Sequence, residues 1–456
     1  MTEAMAMARG DRPDVAAGRL PDEAYRENFA DIHPPLDRKA ALVEANRCLF
    51  CYDAPCIEAC PTGIDIPGFI KRIASDNVEG AGMRILDANI FGGVCARVCP
   101  TEILCEGACV RVAQEGKAVE IGRLQRYAVD PILESPTHPF RRAAPTGKRV
   151  AVVGGGPAGL ACAHRLALLG HDVTVIEARE RLGGLNEYGV AEYKVAEHFA
   201  RAEVDFILGI GGISVRCATR LGRDVTLAEL RSGFDAVFLG MGLAGVNALD
   251  CEGETLTGVF DAVDYIARLR QAEDFSGLPV GRRVVVIGGG NTAIDIAVQT
   301  KRLGAEDVTL VYRRGPDAMS ATEREQHFAQ VNGVKIKHWA RPVQIRGHNG
   351  EVRDVVFEYT QIEDDLVAGT GEHFALPADM VFKAIGQVFV ADPAKDGAQD
   401  MLELEQGRIT VDGERRTSLA KVWAGGDCIR GGEDLTVRAV EDGKRAAQSI
   451  HRALMG

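Results

Sequence analysis

The feature that most constrains this chain is a pattern that occurs twice: a short β-branched run, a glycine triplet, a helix-length apolar stretch and a second β-branched run. The first copy opens with RVAVVGGGPAG (Arg149–Gly159) and the second with RRVVVIGGGNTA (Arg282–Ala293). Short apolar runs that feed directly into a glycine turn read as buried parallel strands, and the helix carries the chain back to the next strand of the same sheet. Two similar α/β domains follow. At roughly 150 residues per domain, a chain of 456 residues has room for about one more.

The turns have the chemistry of a phosphate site. In Gly154, Gly156 and Gly159 the first glycine makes the turn, the second lets a pyrophosphate approach the backbone, and the third packs helix against strand. The helix N-terminus then faces the negative charge. The following strand, HDVTVIE, ends in Glu177, 18 residues beyond Gly159, where a carboxylate can accept hydrogen bonds from a ribose. The second copy has Gly288, Gly290 and Ala293, and its second strand runs into Tyr312, Arg313 and Arg314 with no acid at that place. A carboxylate there would repel a 2′-phosphate, whereas guanidinium groups can hold it bidentately. The residues therefore point to NADP(H) ahead of NAD(H) in the second domain, and two nucleotide units in series suggest a flavin in the first.

Cysteine is the other strong signal. Of 12 cysteines, eight lie between Cys48 and Cys109, while Cys162, Cys217, Cys251 and Cys428 are scattered and form no C-x-x-C pair beside the first nucleotide unit. With no secretion signal in view, that density points to metal or redox chemistry. Cys48, Cys51, Cys56, Cys60 and Pro61 read C-x₂-C-x₄-C-x₃-C-P, and Cys95, Cys99-Pro100, Cys105 and Cys109 follow. In two-cluster ferredoxins the cysteine before proline ligates the other cluster. By that logic Cys48, Cys51 and Cys56 share one [4Fe-4S] cluster closed by a late cysteine, and Cys60 joins Cys99 and Cys105 in a second. Counting alone makes Cys95 the eighth ligand. A tetrahedral zinc site is the competing reading of the C-x₂-C pair.

The remaining text sets boundaries. Residues 1–36 are polar and proline-containing and read as an arm; 37–130 are a helical iron-sulfur domain; 131–147, with Pro131, Pro136, Pro139 and Pro145, read as a linker in which no helix continues. The first dinucleotide domain is expected at 148–272 and 387–456, and the second at 273–386, with strands in VKIKHW, DVVFEY and MVFKAIG. A formal charge of −12 with no polybasic tract argues against nucleic acid and anionic membrane as partners. No apolar run approaches the roughly 18 residues of a spanning helix, so a cytoplasmic location is expected.

The two nucleotide units with the later turn Ala424–Asp427 resemble the flavoprotein disulfide reductase-like superfamily. That resemblance implies FAD contacts at Gly154, Gly156, Pro157, Ala158, Gly159, Glu177, Gly184, Leu185, Lys194, Gly426, Asp427 and Thr436. It implies nicotinamide-nucleotide contacts at Gly288, Gly290, Asn291, Thr292, Ala293, Arg313, Arg314, Ala384 and Gly386. The segments CLFCYDAPCIEACPTGIDIPGFI, GGVCARVCPTEILCEGACVR and IGRLQRYAVD resemble the N-terminal region of dihydropyrimidine dehydrogenases, and the match extends over nearly all of the chain beyond Asp37. The chain looks like the smaller, flavin-bearing subunit of the bacterial two-subunit enzyme. In that family one cluster is held by positions matching Cys48, Cys51, Cys56 and Cys109, and the other by those matching Cys60, Cys99, Cys105 and Gln125, which makes Cys95 a bystander.

The function implied is an electron-input subunit. It would oxidise NAD(P)H at FAD and pass electrons through two [4Fe-4S] clusters to an FMN-containing partner that reduces uracil or thymine to the 5,6-dihydropyrimidine. The FMN barrel of that family needs about 250 residues, which the three domains leave no room for, and no catalytic side chain is assigned here. Bacterial members are associated with NADH, against the reading of Arg313 and Arg314. The small subunit of glutamate synthase is the alternative; the five residues between Cys99 and Cys105, and Gln125, favour the pyrimidine family.

Overall fold

The computed structural model describes residues 14–391 and 402–456, so the first 13 residues of the expected arm and ten residues of the expected 387–456 segment lie outside it. The chain forms two compact units.

One unit comprises Ile32–Glu187, Glu197–Gly245 and Val388–Gly456. Its sheet is parallel throughout, with strands in the order Val422–Ala424, Ala236–Leu239, Arg149–Val153, Asp172–Ile176, Ile213–Arg216. Val150 to Val153 are all buried, as a strand covered on both faces requires. The helix Pro157–Leu168 returns from the first strand, and the long helix Thr436–Met455 packs against it.

The cysteine-rich region belongs to this same unit and is helical: Arg38–Ala45, Ile66–Ala74, Val78–Ala88, Gly92–Val98 and Ile121–Leu133 are its main helices. Asp37, Asp65 and Asn77 cap the first three by accepting a backbone N–H three residues on. Phe69, Ile85 and Leu124 share one continuous core with Val152, Leu160, Phe238 and Val440 of the dinucleotide domain. The two regions that the sequence separates by a linker are thus packed as one body. The linker reading also needs correction at its start, because the last helix runs through Pro131 to Leu133. Proline there removes a single intrahelical bond near the helix end, and the preceding Asp130 is held by Arg97 at 2.8 Å and Arg126 at 3.1 Å.

The other unit comprises Met1–Asp31, Tyr188–Ala196 and Val246–Gln387. Its parallel sheet has the order Val334–Lys337, Asp307–Val311, Arg283–Gly288, Met380–Ala384, Val259–Asp261. Because Val259–Asp261 is a strand of this sheet, the expected boundary at 273 moves forward to Val246. Between Ala340 and Pro377 the chain builds an antiparallel three-stranded sheet (Ala340–His348, Glu351–Glu363, Leu366–Pro377), where only one strand, DVVFEY, was expected. The arm is part of the unit too. Val15 and Ala16 pair with Gly281 and Val280, and the ring of Phe29 lies 4.5 Å from that of Phe275.

Candidate functional site: two nucleotide turns and a cysteine cavity

In both units the first glycine sits where the strand order reverses. Gly154 has φ +101°, and a Cβ on it would fall 2.2 Å from the carbonyl oxygen of Gly240, on the adjacent strand end. Gly288, with φ +150°, meets the carbonyl of Ala384 in the same way at 2.1 Å. These are the crevices at strand ends where open α/β sheets bind ligands. Gly159 is held closer still, since a Cβ there would lie 1.9 Å from the Gly154 oxygen.

Around the first turn, Gly156 is the N-cap residue of the helix and Pro157 its first position, which suits a residue without an N–H. Glu177 directly follows the strand Asp172–Ile176, and its carboxylate accepts from the backbone nitrogens of Gly155 and Arg179, each at 2.7 Å. Gly184 faces Gly156, with Leu185 next in the chain. Asn186, missed in the sequence, accepts from the Thr436 hydroxyl at 2.7 Å, while its buried Nδ2 has no partner among the described residues. Gly426 donates its N–H to Asp442 at 2.9 Å. Burial, with Asp434 nearby, pushes the Asp427 carboxyl up to about 7. A glycine cradle at a helix N-terminus, ringed by Glu177, an orphaned amide and a perturbed carboxyl, fits a dinucleotide such as FAD.

Around the second turn, Gly290 is the N-cap of the helix Asn291–Arg302, so Asn291 and Thr292 lie in its first turn and Ala293 is buried behind them. Gly289 packs under the Tyr312 ring, where a Cβ would come within 2.5 Å. Arg313 is exposed and Arg314 half-buried. Their carbonyls accept from the Thr360 hydroxyl (2.9 Å) and the Trp339 nitrogen (3.2 Å), which fixes the backbone. Neither guanidinium has an ion-pair partner among the described residues. Gly386 follows the strand end at Ala384, with φ +93°.

Lys194 departs from expectation. It belongs to this second unit, where Nζ bonds Asp295 at 2.8 Å and Glu325 at 2.9 Å. Burial works to lower its pKa, but the two carboxylates more than offset that and hold it above the ordinary lysine value. Its donors are engaged in a buried ion cluster, so it is corrected from a cofactor contact to a structural one. No sequence pattern marks Asp295 or Glu325 as its partners.

The cysteines assemble as two sets. Burial and the charges of Cys48, Cys109 and Cys51 push the Cys56 thiol up to about 12. Cys99 is raised by its hydrogen bond with Cys95, by burial, and by Cys105 and Cys60. Cys105 is raised by burial first, then by Glu106 and Cys60, and Cys56 of the other set is also near enough to act on it. Cys60, Cys95, Cys99, Cys105 and Gln125 line one cavity. Gln125 donates Nε2 to the Gly92 carbonyl at 2.7 Å, which leaves the amide oxygen as the end able to ligate. Buried thiols that raise one another's pKa need a cationic occupant to ionise. Among the described residues no three such side chains converge closely enough for a single ion; the chemistry of the donor set, several thiols with one amide oxygen, suits an iron-sulfur cluster.

Comparison with known proteins decides the family. The model for pyridine nucleotide-disulphide oxidoreductases matches residues 148–443, and that for the dihydropyrimidine dehydrogenase domain II, 4Fe-4S cluster, matches residues 25–136. This chain belongs to the pyridine nucleotide-disulphide oxidoreductase family. As a member of it the chain is an oxidoreductase with an FAD-type domain, an NAD(P) domain and a 4Fe-4S region. The NAD-dependent dihydropyrimidine dehydrogenase subunit PreT of Escherichia coli O157:H7 is 33% identical over 96% of this chain and 99% of its own length. The glutamate synthase [NADPH] small chain of Escherichia coli K12 is 35% identical over 96% and 97%. Both relatives are named as one subunit of an assembly. Its fold is that of FprA from Mycobacterium tuberculosis in complex with NADPH (TM-score 0.56, 20% identity, 67% of this chain and 84% of that one). The thioredoxin reductase of T. acidophilum shares it too (TM-score 0.52, 21% identity, 68% and 100%). No described helix is long and apolar enough to cross a membrane.

Proposed function

We propose that this chain is the electron-input subunit of a dihydropyrimidine dehydrogenase, oxidising NADPH and delivering electrons to an FMN-containing partner that reduces uracil or thymine. When bound, the flavin and two [4Fe-4S] clusters supply the conversion of a hydride's electron pair into single electrons. The chain's own residues bind, orient and insulate. Gly154, Gly156, Pro157, Ala158 and Gly159 receive the flavin pyrophosphate, Glu177 the ribose, and Gly184, Leu185, Gly426, Asp427 and Thr436 flank it. Gly288, Gly290, Asn291, Thr292, Ala293, Ala384 and Gly386 receive the nicotinamide nucleotide, and Arg313 and Arg314 its 2′-phosphate. Cys48, Cys51, Cys56 and Cys109 hold one cluster; Cys60, Cys99, Cys105 and Gln125 hold the other.

One observation carries the reading. Thr436 reaches Asn186 in the flavin cradle, and the next residue, Val437, lines the cavity of Cys60, Cys99, Cys105 and Gln125. This adjacency supports a path from the flavin to that cysteine set first. Cys48 and Cys51 of the other set flank a loop whose Leu49 and Phe50 are exposed, as is the following Tyr52, to 99%, which supports that set as the exit toward a partner.

The glutamate synthase small chain is the second reading, favoured by Arg313 and Arg314 together with the [NADPH] in that relative's name. Purification with the native partner separates the two. NADPH-driven reduction of uracil by the complex supports the first reading; glutamate formation from 2-oxoglutarate and glutamine without uracil reduction replaces it with the second.

A further inference from the structure

We propose that Thr62 is a positioning residue that raises the reduction potential of the cluster held by Cys60, through a hydrogen bond from its hydroxyl to the Cys60 sulfur. The proposal rests on the cluster assignment above. Thr62 Oγ1 lies 3.4 Å from Cys60 Sγ, and the residue is 5% exposed. A sulfur that holds iron as a thiolate has no proton to give, so the hydroxyl is the donor. Adding an electron makes the cluster and its sulfurs more negative, and a donor shielded from water stabilises that state more than the oxidised one.

The hydroxyl is not left to swing on a loose loop. Lys444 Nζ donates to the Thr62 carbonyl at 3.1 Å and to the Ala88 carbonyl at 3.0 Å. Lys444 stands on the C-terminal helix that begins at Thr436 and carries Asp442, the acceptor for Gly426, so the element that closes the flavin cradle also fixes the threonine. The bond does not follow from the local triplet alone. Cys-Pro-Thr recurs at Cys99–Pro100–Thr101, where Thr101 instead donates its backbone N–H to the Cys99 carbonyl at 2.8 Å.

The test is a redox titration of the complete, anaerobically prepared protein, followed by low-temperature electron paramagnetic resonance, on wild type, Thr62→Val and Thr62→Ser. Valine keeps the volume without the donor; serine keeps the donor. The expected result is a more negative midpoint for one cluster in Thr62→Val, recovery toward the wild-type value in Thr62→Ser, and no movement of the other cluster. Equal potentials in all three proteins, equal shifts in both variants, or loss of the cluster from both variants overturns the proposal. A wild-type protein that shows no cluster signal removes the functional reading itself, and this proposal with it.

Discussion

Glu203 accepts a hydrogen bond from the backbone nitrogen of Gly93 at 2.7 Å, and it does so from full burial. The same carboxylate takes the N–H of Val94 at 3.1 Å, so a side chain of the dinucleotide domain caps the helix Gly92–Val98 that presents Cys95 and leads to Cys99. Burial, opposed in part by those two backbone bonds, pushes its pKa from 4.5 up to about 8. A carboxyl whose folded pKa is raised favours the native state fully below pH 4.5 and loses that contribution as pH climbs toward 8. Glu203→Gln keeps an acceptor and removes the titration. Its stability relative to wild type should therefore rise with pH across that interval in denaturant melts, and parallel profiles would contradict this. Glu203→Ala orphans two buried N–H groups at about 1–3 kcal/mol each.

Gly159 leaves no room for a side chain, with the Gly154 oxygen 1.9 Å from where its Cβ would be. Gly159→Ala should yield protein without flavin absorbance that still contains iron. Gly288→Ala meets the Ala384 oxygen at 2.1 Å and should keep its flavin, yet fail to be reduced by NADPH while remaining reducible by dithionite. Flavin retained in the first variant, or normal NADPH reduction in the second, contradicts these placements.

Arg313 and Arg314 have fixed backbones and no ion-pair partners among the described residues, as a phosphate site in waiting would. Charge-assisted bonds contribute about 1.5–3 kcal/mol each, or roughly ten- to a hundredfold. Replacing each arginine by alanine should lower the ratio of NADPH to NADH kcat/KM by about that factor, with NADH values little changed. An unchanged ratio assigns the nucleotide preference elsewhere.

Cys95 and Gln125 line the same cavity, and only one completes the second set. The amide of Gln125 is oriented by Gly92, whereas the Cys95 thiol bonds Cys99. Gln125→Leu is expected to lose or convert one cluster in iron analysis, while Cys95→Ser keeps both. The reverse result makes Cys95 the ligand.

Both parallel sheets and both glycine turns were legible because steric demands on Gly154, Gly159 and Gly288 leave a fixed spacing between strand and helix. The iron-sulfur character of the region 25–136 was legible from the cysteine spacing and from Pro61 and Pro100. What could not be read depends on contacts distant in the chain. Val259 joins a sheet whose neighbouring strand begins at Met380, so the boundary at 273 fell too late. Lys194 finds Asp295 and Glu325 more than a hundred residues on, and nothing local distinguishes it from a lysine facing a ligand. Pro131 looks like a helix terminator but sits near the helix end, where the loss is a single bond.

The most direct measurement of the central claim is iron and acid-labile sulfide analysis of the anaerobically purified chain, paired with the spectrum after NADPH is added. The account predicts about eight iron and eight sulfide per chain, the content of two [4Fe-4S] clusters, and paramagnetic reduced clusters on NADPH addition. Protein that binds flavin yet contains zinc or no iron, or whose clusters stay oxidised under NADPH, would contradict it.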